Sequence, residues 1–193
     1  MNIDLSSPYA LLASLDREGR CGNRELRREL GSGWRGVLLR VGDFRFLVDM
    51  DSIAEVADPM ALTRVPLAES TVLGVGNLRG QVLPVFDMGQ LLLGRPLAKA
   101  ASGQRIVVAA QGQGVAGLLV SQVEGMRRCN PSQRRLDVSV PETVQPLIKG
   151  GFDLGHRLHP VLDLDLLLND VNRLAGTGLA GATNREQAAA AGG

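Results

Sequence analysis

Apolar and polar residues alternate with a period of two through most of the middle of this 193-residue chain, and that period predicts strands. It starts at Trp34: Gly36-Val-Leu-Leu-Arg-Val41 runs into the pair Gly42-Asp43 and then Phe44-Arg-Phe-Leu-Val48. A two-residue Gly-Asp link between apolar runs predicts a hairpin closed by a type II′ turn, because glycine supplies the positive φ at the first turn position. The device recurs where Arg105-Ile-Val-Val-Ala-Ala110 passes through Gly112-Gln-Gly114 into Val115-Ala-Gly-Leu-Leu-Val120. Ahead of Trp34 the period is helical. Ser7 caps and Pro8 opens a short helix with Leu11, Leu12 and Leu15 on one face, and a second helix starts at Asn23 and stops at Gly31.

The pattern also repeats at long range. Leu83-Pro-Val-Phe-Asp-Met-Gly-Gln-Leu-Leu-Leu93 aligns with His159-Pro-Val-Leu-Asp-Leu-Asp-Leu-Leu-Leu-Asn169 at an offset of 76 residues. Gly74 then falls on Gly150 and Leu78 on Leu154, while Val65-Pro66 meets Val140-Pro141 with a one-residue slip. Two related β subdomains follow, about residues 34–98 and 104–170 within a domain of 34–174. An N-terminal helical extension (1–33) precedes them, and a Gly/Ala-rich tail without apolar period (175–193), expected to be disordered, follows. Pro84 and Pro160 cannot donate to a central ladder and are expected at a strand start, an edge or a bulge. Short strands with glycine corners suit sheets that curl and hide their edges, so the fold class is all-β with short helices.

Composition narrows the functions. The 21 basic and 20 acidic residues leave a net charge of +1, and only Tyr9, Trp34, Phe44, Phe46, Phe86 and Phe152 are aromatic, which argues against nucleic-acid binding. No stretch reads as a signal peptide or membrane span, so no direct membrane insertion is expected. Cys21 and Cys129 have no partners at metal-ligand spacing, which suits a reducing, cytoplasmic compartment.

Catalytic chemistry is scarce, and neither a cofactor nor a metal is expected. Gly74-Val-Gly-Asn-Leu-Arg-Gly80 has neither the spacing nor the following helix of a phosphate loop. His156 and His159 lack a third Cys or His ligand nearby. Asp87 and Asp163 hold equivalent places in the repeat, and each is suited to accept backbone N–H bonds from the turn that follows. An enzyme is therefore the weaker reading, and a small-ligand-binding or enzymatic β-barrel stands as the rival class.

Three stretches taken together carry a family resemblance: Gly42 to Val56, Leu62-Thr-Arg-Val-Pro66, and Val72-Leu-Gly-Val-Gly-Asn-Leu-Arg-Gly-Gln-Val-Leu-Pro-Val-Phe-Asp87. With Val115 to Val123, they resemble the CheW family of chemotaxis adaptors over about residues 35–170. The resemblance implies two SH3-like five-stranded β-barrels. It also implies a non-enzymatic adaptor between the cytoplasmic tip of methyl-accepting chemoreceptors and the regulatory domain of a CheA-type histidine kinase, held at the inner membrane through receptor arrays. Trp34-x-Gly36-x-x-x-Arg40-x-Gly42 and Gln145-Pro-Leu-Ile-Lys-Gly-Gly-Phe152 look like the branch serving type IV pilus twitching motility, the alternative being a flagellar or other chemosensory system. Ser121 stands where the family usually has Asp, and Met88-Gly89 where it has Leu-Arg.

By the same resemblance, receptor-contacting positions map onto Ile53 and Arg79, with Glu55 and Val75 adjacent. Asn77 and Gly80 fit the ends of a type I turn that presents Arg79 at its centre, either to a partner or to an internal carboxylate such as Glu55 or Asp87. Ile53 fits either a helix-binding groove between the barrels or plain core.

Overall fold

The structure is a computed structural model, and it describes residues 33–98, 101–111 and 114–169. The expected N-terminal helices and C-terminal tail lie outside the described residues. In chain order the elements are β1 (Trp34–Val41), β2 (Phe44–Asp49), β3 (Ile53–Ala57), β4 (Val72–Leu78), β5 (Gln81–Asp87) and helix α1 (Met88–Leu93). They continue with β6 (Arg105–Gln111), β7 (Gly114–Val120), β8 (Gln122–Cys129), β9 (Arg134–Arg135), β10 (Ile148–Asp153) and β11 (Leu158–Leu162). Residues 164–169 are helical and form α2.

The strands make two sheets. Sheet I has the order β8-β1-β2-β11-β10-β9 and sheet II the order β3-β6-β7-β5-β4. The two sequence halves therefore do not correspond to one sheet each, as the boundaries 34–98 and 104–170 suggest. The hairpin β1–β2 of the first half lies among strands of the second, and the hairpin β6–β7 of the second lies among strands of the first. The reason is packing. Each hairpin pairs in parallel with the last strand of the other half, Leu47 opposite Val161 in sheet I and Gly117 opposite Val85 in sheet II.

The internal repeat itself is real and extends further than 76-residue matching reveals. Val85 and Val161 occupy equivalent strands, and a bulge falls at Ala54 in β3 and at Glu124 in β8, each opposite the first strand of a hairpin. Pro84 and Pro160 lie within strands rather than at strand starts. Each immediately precedes the first residue paired in parallel with the neighbouring hairpin, so on that side its missing N–H falls where the ladder has not yet begun.

Both sheets curl edge to edge. A flat sheet of six strands would separate β8 from β9 by about 24 Å at ~4.8 Å per strand. The five residues from Cys129 to Arg134 span at most about 17 Å, so the sheet must bend to bring those edges together. In sheet II the ion pair between Glu55 of edge strand β3 and Arg79, in the turn joining β4 to β5, closes the same gap. The result is a pair of five-stranded SH3-like units, with the two-residue β9 as an addition to the first.

Alternation along the strands feeds three cores. Leu38, Leu47, Cys129 and Phe152 pack within sheet I, where Trp34 stacks on Phe152 at 5.0 Å between ring centroids. The indole also lies over Gly36, where a Cβ would sit 2.4 Å from the ring, which explains glycine two residues after Trp34. Leu83, Val85, Ile106 and Val108 pack within sheet II. The intervening residues of the same strands, Leu39, Phe46 and Val48 from sheet I and Phe86, Val107 and Leu118 from sheet II, meet in one shared core.

Asp87 and Asp163 cap the turns that end each half. Asp87, 2% exposed, accepts from Gly89 N–H and Gln90 N–H at 2.8 and 3.1 Å through one oxygen and from Leu97 N–H at 3.0 Å through the other. Asp163 accepts from Asp165 and Leu166 N–H and meets Lys149 Nζ at 2.7 Å. The residues at which the chain departs from the family pattern are likewise structural here. Ser121 Oγ accepts from Gly42 N–H at 2.9 Å, Met88 is fully buried, and a Cβ on Gly89 would stand 2.7 Å from the Arg95 carbonyl oxygen.

Replacing Asp87 with alanine strands three donors, two of them buried, and is expected to cost about 3 kcal/mol in urea unfolding; a loss under about 1 kcal/mol would show that water replaces the carboxylate. A second expectation concerns pH. Burial holds the His159 imidazole below its ordinary 6.5, and Arg157, Arg45 and Arg127 push the same way. The native state then binds the proton less readily than the unfolded chain, so this contribution is complete above pH 6.5 and is lost as pH falls toward the depressed native value. His159→Leu, which installs the residue found at equivalent position 83, should flatten the fall in stability measured between about pH 7.5 and 5.5. An unchanged slope would contradict this.

Candidate functional site

Four of the six candidate residues, Glu55, Asn77, Arg79 and Gly80, come together at the β4–β5 turn of sheet II. Strands β4 and β5 register Leu78 against Gln81, so the connecting turn has Arg79 and Gly80 at its centre. Both take positive φ, 52° and 83°, which is the type I′ geometry that matches the twist of paired strands. This corrects the type I turn expected over Asn77 to Gly80. Asn77 closes the loop through its side chain, Oδ1 accepting from Gly80 N–H at 2.8 Å. Arginine in the left-handed region costs about 1 kcal/mol, so the turn presents Arg79 at the expense of local strain. The equivalent turn of sheet I, with Gly155 and His156 at φ 63° and 66°, puts glycine first instead.

Arg79 Nη2 donates to Glu55 Oε1 at 2.7 Å. Its side chain is still 77% exposed, against 30% for Glu55. An ion pair so open to water contributes at most about 1 kcal/mol, and a competing carboxylate can displace it at little cost. Of the two roles open to Arg79 from sequence, the brace to Glu55 is present in the free chain, and the exposed head remains available to a partner.

The other two candidates lie apart. Ile53 is partly buried and packs against the shared core. Val75 is tied down by its backbone, exchanging hydrogen bonds of 2.8 and 2.9 Å with Thr63. That bridge lays residues 60–63 over the edge of β4, where a Cβ on Gly74 would come within 2.4 Å of the Thr63 carbonyl oxygen and one on Gly76 within 2.6 Å of Met60 Sδ. Two exposed apolar residues missed from sequence lie in the same unit. Val82, 75% exposed, pairs with Asn77 beside the Arg79 turn. Leu67, 85% exposed, follows Pro66 at φ 61° in a turn closed by Ala68 N–H to the Val65 carbonyl. The alternation of β5 assigned Val82 to a strand but not to its outer face, and nothing in Val65-Pro-Leu67 signals that a leucine takes the position usually given to glycine.

Among the described residues no group of three or more His, Cys, Asp or Glu is placed to hold a metal, and no helix is long and apolar enough to cross a membrane. The buried Cys129 thiol is pushed up to about 11 by desolvation.

Known proteins share this fold. A family model for the CheW-like domain matches residues 35–172. The chain is 30% identical over 162 residues to the protein PilI of Pseudomonas aeruginosa, covering 82% of this chain and 89% of that one. It is 30% identical over 141 residues to the chemotaxis protein CheW of Helicobacter pylori, covering 72% and 81%. Among solved structures, the scaffolding protein TtCheW from Thermoanaerobacter tengcongensis shares the fold with a TM-score of 0.61 at 18% identity, covering 68% of this chain and 85% of that one. By the extent of the family match and the near full-length likeness to one relative, the chain belongs to the CheW-like family of non-enzymatic chemosensory adaptors.

Proposed function

We propose that this adaptor couples methyl-accepting chemoreceptors to the regulatory domain of a CheA-type histidine kinase, in the cytoplasm, within a system that controls type IV pilus twitching motility. The observation that carries the pilus assignment is the match to PilI along 89% of that protein. The contact itself is assigned to the β4–β5 turn. There Arg79 offers a guanidinium on a two-residue turn, with Glu55 beneath it, Asn77 and Gly80 fixing the loop, and Val82 as an apolar neighbour. Arginine is among the residue types that most often anchor interfaces. Ile53 and Val75 act from behind, one seating β3 on the shared core and the other holding the cover over β4.

The test is Arg79→Ala, with the melting curve and the affinities for receptor and kinase measured on one preparation. Alanine keeps the Cβ and with it the strain at φ 52°, so only an open ion pair is lost and the melting temperature should fall by at most a few degrees. Affinity for one partner should fall about thirtyfold, the equivalent of about 2 kcal/mol. Unchanged affinity for both partners would remove the turn from the interface. Pull-down from a lysate in which neither a receptor nor a CheA-type kinase is recovered would count against the coupling role itself.

A further inference from the structure

The register equivalence of the two sheets isolates what sheet I does differently. Arg45 stands where sheet II has Val115, Glu124 where it has Ala54, and His159 where it has Leu83. Three positions that are apolar in one unit are ionisable in the other. They gather at a single end of sheet I, between the Gly42-Asp43 hairpin turn and the turn at Gly155-His156.

Their arrangement is built rather than scattered. Arg45 Nε donates to both carboxylate oxygens of Glu124, at 2.9 and 3.0 Å, and Arg40 Nε stands 3.9 Å from the same group. Behind them His159 is 6% exposed, and its buried Nδ1 has no partner. Arg157 lies at the rim, beyond the 155–156 turn. Arg127 reaches back along β8, its Nη1 within 3.6 Å of where a Gly125 Cβ would be. Both are exposed, and neither has a carboxylate partner among the described residues. Arg40 and Arg45 stand on one carboxylate, and the exposed Arg127 and Arg157 add positive charge beside Asp43, itself paired with Arg95, and Asp153 of the flanking turns, in a chain whose net charge is only +1.

We propose that this end of sheet I is a docking site for an acidic peptide segment of a partner protein, with one of its carboxylates taken by Arg127 and Arg157 above the buried His159. Glu124 sets the chemistry, since the cluster already holds a carboxylate on Arg45, whose single Nε–H is shared between both carboxylate oxygens. A phosphate, with up to twice the charge, would meet that same carboxylate at close range. The near absence of aromatic platforms argues against nucleic acid. The site lies on the other sheet from the Arg79 turn, so it engages a partner independently of that surface.

The experiment titrates the full chain with a hexaglutamate peptide by calorimetry at about 50 mM salt, where screening is weak, and follows the His159 ring resonances by NMR. Binding should shift those resonances. Arg127→Ala and Arg157→Ala should each weaken it by about fivefold, the upper range for one exposed pair, while Arg64→Ala, an exposed arginine outside the cluster, leaves it unchanged. The variants' melting curves establish that the fold is kept. No peptide binding, binding indifferent to Arg127 and Arg157, or an equal response of His159 to inorganic phosphate would each overturn the proposal.

Discussion

The reciprocal exchange of hairpins is the constraint on which the rest of the molecule depends. Each sheet is completed by two strands from the other half of the sequence, and the strands so exchanged carry the residues of the shared core. Phe46 and Val48 on β2 face Leu118 and Val120 on β7 across that core, and the helices capped by Asp87 and Asp163 add Met88, Leu92, Leu164 and Leu168 to it. Neither sheet can open without stripping apolar surface from the other, so two units of small individual cores stabilise one another.

A scaffold of this kind gains from being rigid at both ends. The turn at Arg79 and the charged end of β11 are equivalent places in the two sheets, reached by the same two-residue turn geometry. The chemistry differs between them. Sheet II presents a single exposed arginine over a half-buried glutamate, with apolar residues beneath. Sheet I buries a histidine beside the ion pair of Arg45 and Glu124. Duplication thus supplied two similar platforms, and substitution on one of them supplied two different surfaces.

Much of the fold was legible because strand period, turn glycines and the Pro-Val-x-Asp repeat all act locally. Gly42 at φ 58° closes the first hairpin as its position required, and Asp87 and Asp163 cap as their place after a strand required. What sequence could not reveal was which strand pairs with which. The exchange is set by the parallel pairing of Leu47 with Val161 and Gly117 with Val85, contacts between residues 114 and 32 positions apart that leave no periodic trace. At the candidate site, Arg79 and its partner Glu55 were identifiable as residues, but their turn type was not, because arginine at φ 52° departs from ordinary turn preference. The charged end of sheet I was missed altogether, since His159 was weighed only as a metal ligand with His156 and its arginines come from β1, β2, β8 and the 154–157 turn.

Native-state hydrogen exchange on the full chain tests the interlocked core most directly. The amides of Phe46 and Val48 in sheet I and of Val107 and Leu118 in sheet II should exchange with the same opening free energy, equal within about 0.5 kcal/mol to that of global unfolding. If one sheet instead exchanged through an opening cheaper by several kcal/mol while the other stayed protected, the two would be separate cooperative units and the shared core would not be what holds them together.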